Sequence, residues 1–73
     1  MKKGRVVSFR PRGFGFLLDP DTRQEHFFHI DKVVGRKSLR TGDYVEFELG
    51  YADDHRKPAP AVWVKLIDAT GGR

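Results

Sequence analysis

The chain has 73 residues, 38% of them apolar, which is room for one domain with one small core. It has no cysteine, which excludes disulfide scaffolds, thiolate zinc sites and thiol catalysis, and no run approaches the ~18 apolar residues of a membrane span. Fourteen Lys+Arg against ten Asp+Glu leave a net charge of +4, and the excess gathers at the start as Lys2, Lys3, Arg5, Arg10 and Arg12 with no acid among them.

The opening Met1-Lys2-Lys3-Gly4-Arg5 is followed by no apolar run, which argues against a secretory signal and for a cytoplasmic protein. Gly4 to Phe9, rich in Val and Phe, predicts a first strand that the turn residues Arg10-Pro11-Arg12-Gly13 interrupt. A second strand runs from Phe14 to about Leu18 and stops at Asp19-Pro20-Asp21. The third covers His26 to Ile30. Asp31 to Asp43 is too short for a long helix and has room for one helical or 3₁₀ turn before Thr41-Gly42-Asp43 reverses the chain. Tyr44 to Leu49 gives the clearest pattern, with Val45, Phe47 and Leu49 on one face and Tyr44, Glu46 and Glu48 on the other. A polar loop, Ala52-Asp53-Asp54-His55-Arg56-Lys57-Pro58, leads to a last strand from about Ala61 to Ile67.

Residues 1–68 are thus expected to form one domain, with 69–73 a frayed tail. The five short strands predict an all-β fold, a five-stranded antiparallel barrel, because closure removes adhesive edges. An open meander is the alternative, and it leaves so short a chain poorly buried.

The most informative segment is Arg12-Gly13-Phe14-Gly15-Phe16-Leu17. On a strand Phe14 and Phe16 share one face, while Leu17 takes the other with Gly13 and Gly15. The third strand repeats the arrangement, with Phe27 and His29 on one face and His26, Phe28 and Ile30 opposite. Phe on a strand ordinarily means core, as expected for Phe28 and Phe47. Here both faces of two strands are apolar, and a barrel has only one interior. Phe14, Phe16, Phe27 and His29 therefore form a patch that needs an outside partner. Unpaired bases suit it: each stacks on an aromatic ring for about 1–3 kcal/mol, while neighbouring Arg and Lys hold the phosphates. A duplex hides its base faces. The bland reading of the charge is solubility alone.

Gly13-Phe14-Gly15-Phe16-Leu17 and Phe27-Phe28-His29-Ile30 resemble the two ribonucleoprotein-type motifs of the cold-shock domain family. Gly4-Arg5-Val6-Val7-Ser8-Phe9 resembles its opening strand. Ser38 to Phe47 resembles the family's approach to strand four, and Lys57-Pro58-Ala59-Pro60-Ala61 its lead into strand five. Together these cover about residues 3 to 67. The resemblance implies an OB-type barrel that binds single-stranded RNA or DNA and needs no cofactor. By position it assigns base stacking to Phe14, Phe16, Phe27 and His29, a further ring at the edge to Phe9, and polar or basic contacts to Arg12 and Arg56.

The chain also departs from that pattern. Ser8 stands where the family usually has a stacking Trp, Val7 where Lys is common, and Ile30 where an aromatic is common. The turn at Arg10-Pro11-Arg12 is one residue short, and Arg36 lies near the place of a missing ring. Weaker binding than in a typical member is expected, leaning more on Arg10, Arg12 and Arg36. For Trp63, strand alternation places the side chain outward with Lys65 while the family alignment places it inward; partial burial is the expectation.

Other chemistry finds little support. His26 and His29, three apart on a strand, face opposite sides and do not converge on a metal, so no metal site is expected. His26 reads as either a packed, hydrogen-bonded residue or one at the barrel end. Asp53-Asp54-His55 reads as a solvated loop, and Asp19 and Asp21 as turn residues rather than paired carboxylates. No nucleophile with base and oxyanion partners can be assembled, so an enzyme is not expected. Two functions remain. The first is a single-strand binder, RNA favoured and DNA the other choice, able to open weak RNA structure passively. The second is a protein-interaction module using the same apolar face, a reading strengthened by Ser8 and Val7. A monomer is expected, with a homodimer as the alternative.

Overall fold

The computed structural model describes residues 1–10, 12–35, 38–52 and 56–68. Six strands appear in chain order: β1 Lys2–Arg10, β2 Phe14–Asp19, β3 Gln24–His29, β4 Val33–Val34, β5 Tyr44–Leu49 and β6 Ala61–Asp68. They hydrogen-bond in the order β3-β2-β1-β5-β6-β4, and a contact between β3 and β6 closes the sheet on itself. The all-β barrel expected from the sequence is therefore present. Its five long strands lie close to where the alternation placed them, except that the third runs from Gln24 to His29 rather than from His26 to Ile30, because Ile30 already belongs to the turn that follows.

The antiparallel description holds for β1–β2, β1–β5, β2–β3 and β5–β6. Closure is different. β3 meets β6 in parallel through Phe28 and Ala61, and the two-residue β4 also lies parallel to β6. Parallel neighbours require a long connection, which residues 30–60 supply. Ile30–Lys32 forms the single 3₁₀ turn for which the sequence left room, starting at Ile30 rather than after it.

Inside the barrel, Val6, Leu17, Phe28, Val33, Leu39, Val45, Phe47, Ala61 and Val64 form one buried cluster. Burying a side chain such as Phe28 or Phe47 stabilises the fold by about 1.5–3 kcal/mol. The interior leaves no room at Gly15, where a Cβ would lie 2.7 Å from Phe28 Cζ and 2.7 Å from the Ser8 carbonyl oxygen. Glycine there lets β1 approach β2 over the Phe28 ring. Gly13 serves the turn instead: its φ of 139° disfavours any side chain, and its carbonyl accepts from Ile30 N–H at 2.8 Å. That bond ties the β1–β2 turn to the end of β3.

His26 is buried, and its Nδ1–H donates to the Ala59 carbonyl at 2.7 Å. It is the packed, hydrogen-bonded histidine of the two readings. Trp63 is half-buried and stands opposite Glu48. The pairing of β5 with β6 slips between Glu48 and Leu49, so strict alternation along the last strand is broken close to this ring. Asp53, Asp54, His55 and the tail 69–73 lie outside the described residues.

Candidate functional site

Phe14, Phe16 and Leu18 project from the outer face of β2, alternating with the buried Gly15, Leu17 and Asp19. β3 matches them in register, His29 opposite Phe14 and Phe27 opposite Phe16. Three rings meet as a result. Phe27 stacks beside Phe14 with centroids 5.9 Å apart and planes at 28°, and meets Phe16 edge-on at 5.8 Å and 71°. Offset and T-shaped pairs of this kind hold rings in place, so the platform exists before anything binds. It is open to water: Phe14 is 39% and Phe27 41% exposed. Phe16 is half-buried between its neighbours.

His29 extends the platform past Phe14, its side chain about half exposed. Its Nδ1 accepts from the Asp31 backbone N–H at 3.2 Å and lies 3.4 Å from Asp31 Oδ2. The 3₁₀ turn thus fixes the imidazole against the sheet, close to Gly13 and the β1–β2 turn that carries Arg12.

The third side of the platform depends on an irregularity. β1 pairs Val6 with Leu17 and then Ser8 with Phe16, leaving Val7 as an extra residue. A bulge moves every later side chain to the opposite face. Without it, Val6 inward would require Ser8 and Arg10 inward and Phe9 outward. With it, Ser8 stands beside Phe16 and Arg10 beside Phe14 on the outer face, while Phe9 pairs with Gly15 on the inner one. Arg10 and Arg12 are both exposed.

Phe9 accordingly departs from the expectation of an edge ring on the outer surface. It is half-buried, packs on the core and stacks on Phe28 at 6.3 Å with planes at 17°. The bulge is the physical reason. Arg56 is exposed on the connection that leads into Ala61, the partner of Phe28. Arg36 lies outside the described residues.

The basic N-terminus divides in two. Lys2 Nζ pairs with Asp19 Oδ2 at 2.8 Å, and Asp19 Oδ1 accepts from Asp21 N–H at 2.9 Å. The hydrogen bond from Lys2, with help from Asp21 N–H, outweighs burial and holds the Asp19 carboxyl below its ordinary pKa; the same bond raises Lys2 above its own. Lys2 therefore serves the fold, and Asp19 is more than a turn residue. Sequence reasoning missed this pair because its members lie on different strands. It also passed over Leu18, although the spacing Phe14, Phe16, Leu18 was available.

Among the described residues, no group of three or more His, Cys, Asp or Glu is placed to hold a metal ion, and no helix is long and apolar enough to cross a membrane. What the surface offers is flat rings edged by guanidinium groups. The sequence model of the 'Cold-shock' DNA-binding domain matches residues 2–65, which takes in β1 through most of β6. No curated protein matches the chain.

Proposed function

The chain belongs to the cold-shock domain family, which binds nucleic acid and catalyses no reaction, and on that footing we propose that it binds single-stranded nucleic acid, RNA foremost, on the Phe14–Phe16–Phe27 platform. The observation that carries this reading is the ring cluster: on the outer face Phe27 contacts both Phe14 and Phe16, and two of the three rings are more than a third exposed. Three grouped rings are a costly surface to leave wet, and a flat base recovers that cost by stacking. His29 adds a fourth ring, and Arg10 and Arg12 at the same end of the sheet attract the phosphates.

The expected action is passive. A module that binds open strands shifts the equilibrium of a weak hairpin by mass action, without a nucleotide cofactor. The protein is expected to act as a cytoplasmic monomer, with Arg36 and Arg56 adding charge around the platform. Phe9 then acts from beneath, by bracing Phe28, rather than as a stacking ring.

The test is a titration of labelled oligo-pyrimidine and oligo-purine strands against the protein and its Phe16→Ala/Phe27→Ala variant. Both rings lie largely outside the core, so the variant is expected to keep its fold by circular dichroism. Loss of two stacking partners predicts a fall in affinity of about 2–6 kcal/mol, enough to remove measurable binding. In the unaltered protein, log affinity is expected to fall with log salt by roughly 0.7 per phosphate neutralised. Unchanged affinity in a folded double variant would end the proposal and leave the face to a protein partner.

A further inference from the structure

The outer face does not stop at the phenylalanines. Arg5 on β1 is the cross-strand partner of Leu18 on β2 and of Tyr44 on β5, so three outward side chains stand in a row across the sheet. They form a cleft of about 450 Å³ with Lys3, Pro20 and Ile67, a size that falls among small-molecule sites, roughly 300–1,000 Å³. Its apolar walls are open to water, Tyr44 and Ile67 each being 43% exposed. The Arg5 guanidinium lies 4.4 Å from the centre of the Tyr44 ring and donates to the Tyr44 hydroxyl. A flat cationic group is thereby held against an aromatic ring.

We propose that this cleft is a further nucleotide subsite, which receives the base next along a strand already lying on Phe14, Phe16 and Phe27. The inference rests on the function proposed above and extends it to a second part of the surface. Three observations favour this occupant. The first is continuity, since Leu18 follows Phe16 on the same face of β2, about 7 Å further on, a step of the order between neighbouring nucleotides in an extended strand. The second is chemistry: bases stack on guanidinium planes as well as on aromatic rings, and Arg5 with Tyr44 offers both.

Charge is the third. Among the described residues, Lys3 and Arg5 are the charged ones that line the cleft. Glu25 opposite Leu18, Glu46 opposite Lys3 and Asp68 opposite Tyr44 stand around it. Those carboxylates oppose a phosphate deep in the cleft. They accept hydrogen bonds from the amino groups of a base. The base therefore enters and its phosphate stays outside, near Lys3 and Arg5. Such a subsite also offsets the small side chain at Ser8, which leaves the stretch between Phe16 and Arg5 without a ring of its own.

The test compares a short oligonucleotide of about four bases, enough for the phenylalanine platform alone, with one of about ten. Tyr44→Ser and Ile67→Ser each remove an exposed wall of the cleft and leave the net charge unchanged. Both variants are expected to bind the short strand as the unaltered protein does and to bind the long strand about 5- to 150-fold more weakly, the value of one stacked base. Unchanged long-strand affinity in the folded variants overturns the subsite, and so does an equal loss at both lengths. Should either variant fail to fold, chemical-shift mapping of the unaltered protein decides: shifts at Leu18, Tyr44 and Ile67 must appear with the long strand and not with the short one, and their absence refutes the proposal. The Phe16→Ala/Phe27→Ala variant separates the two levels. If it binds both strands normally, the platform itself fails; if it loses both while Tyr44→Ser changes nothing, only the subsite fails.

Discussion

Replacing Ser8 by Trp adds a ring beside Phe16, on the face where β1 otherwise presents Arg10 and Arg5. Ser8 is half-buried at the junction of β1 and β2 and faces outward because of the bulge at Val7. A Trp there rests one edge on Phe16 and leaves its face to solvent. One additional base can then stack, for about 1–3 kcal/mol, a tightening of about 5- to 150-fold. The core residues beneath, Leu17 and Phe28, are untouched, so the melting temperature is expected to move by only a few degrees, about 1 kcal/mol or less. Fluorescence anisotropy with a labelled oligo-pyrimidine at fixed salt gives the affinity, and quenching of the new indole reports contact with the bases. A folded Ser8→Trp protein with unchanged affinity and unquenched fluorescence would refute the stacking account of this face, because a ring correctly placed on the platform would have met no base.

Two further outcomes follow from the geometry. Gly15→Ala forces a Cβ to within 2.7 Å of both Phe28 and the Ser8 carbonyl; overpacking of this kind costs about 1–3 kcal/mol, and a denaturant melt is expected to show it, whereas an Ala tolerated without loss would contradict the close approach of β1 to β2. The Asp19 carboxyl, held by Lys2 below the ordinary carboxylate value of 3.8, contributes stability that is full above that value and is lost as the pH falls through its lower folded value. Asp19→Asn should therefore remove part of the acid limb of stability measured by chemical denaturation as the pH falls below about 4, and an identical acid limb in the variant would mean that the Lys2 pair contributes nothing.

The sequence revealed the platform better than its surroundings. Phe14, Phe16, Phe27 and His29 were legible because period-two alternation on two neighbouring strands fixes their face once Leu17 and Phe28 are assigned to the core. Tyr44 to Leu49 was legible for the same reason, with bounds that match β5. The side of the platform formed by β1 was not. Its faces turn on one extra residue, Val7, and a bulge in a run of Val, Val, Ser and Phe leaves no mark in composition; it is decided by the pairing with β2. Phe9 and Arg10 exchange faces as a consequence. The parallel closure through Phe28 and Ala61 and the short β4 were hidden as well, since a two-residue strand is too short to carry a period. The Lys2–Asp19 pair depends on strand neighbours, which alternation within each strand does not specify.

Rings on the outer face of β2 and β3 are expected to receive unpaired bases. Amide and aromatic chemical-shift mapping tests it most directly, by adding a single-stranded oligo-pyrimidine and then a duplex of the same length to the labelled protein. Shifts from the single strand are expected to centre on Phe14, Phe16, Phe27 and His29, with only weak, salt-sensitive shifts near Arg10 and Arg12 from the duplex. Shifts of equal size and place from both, or single-strand shifts that spare all four rings, would contradict it.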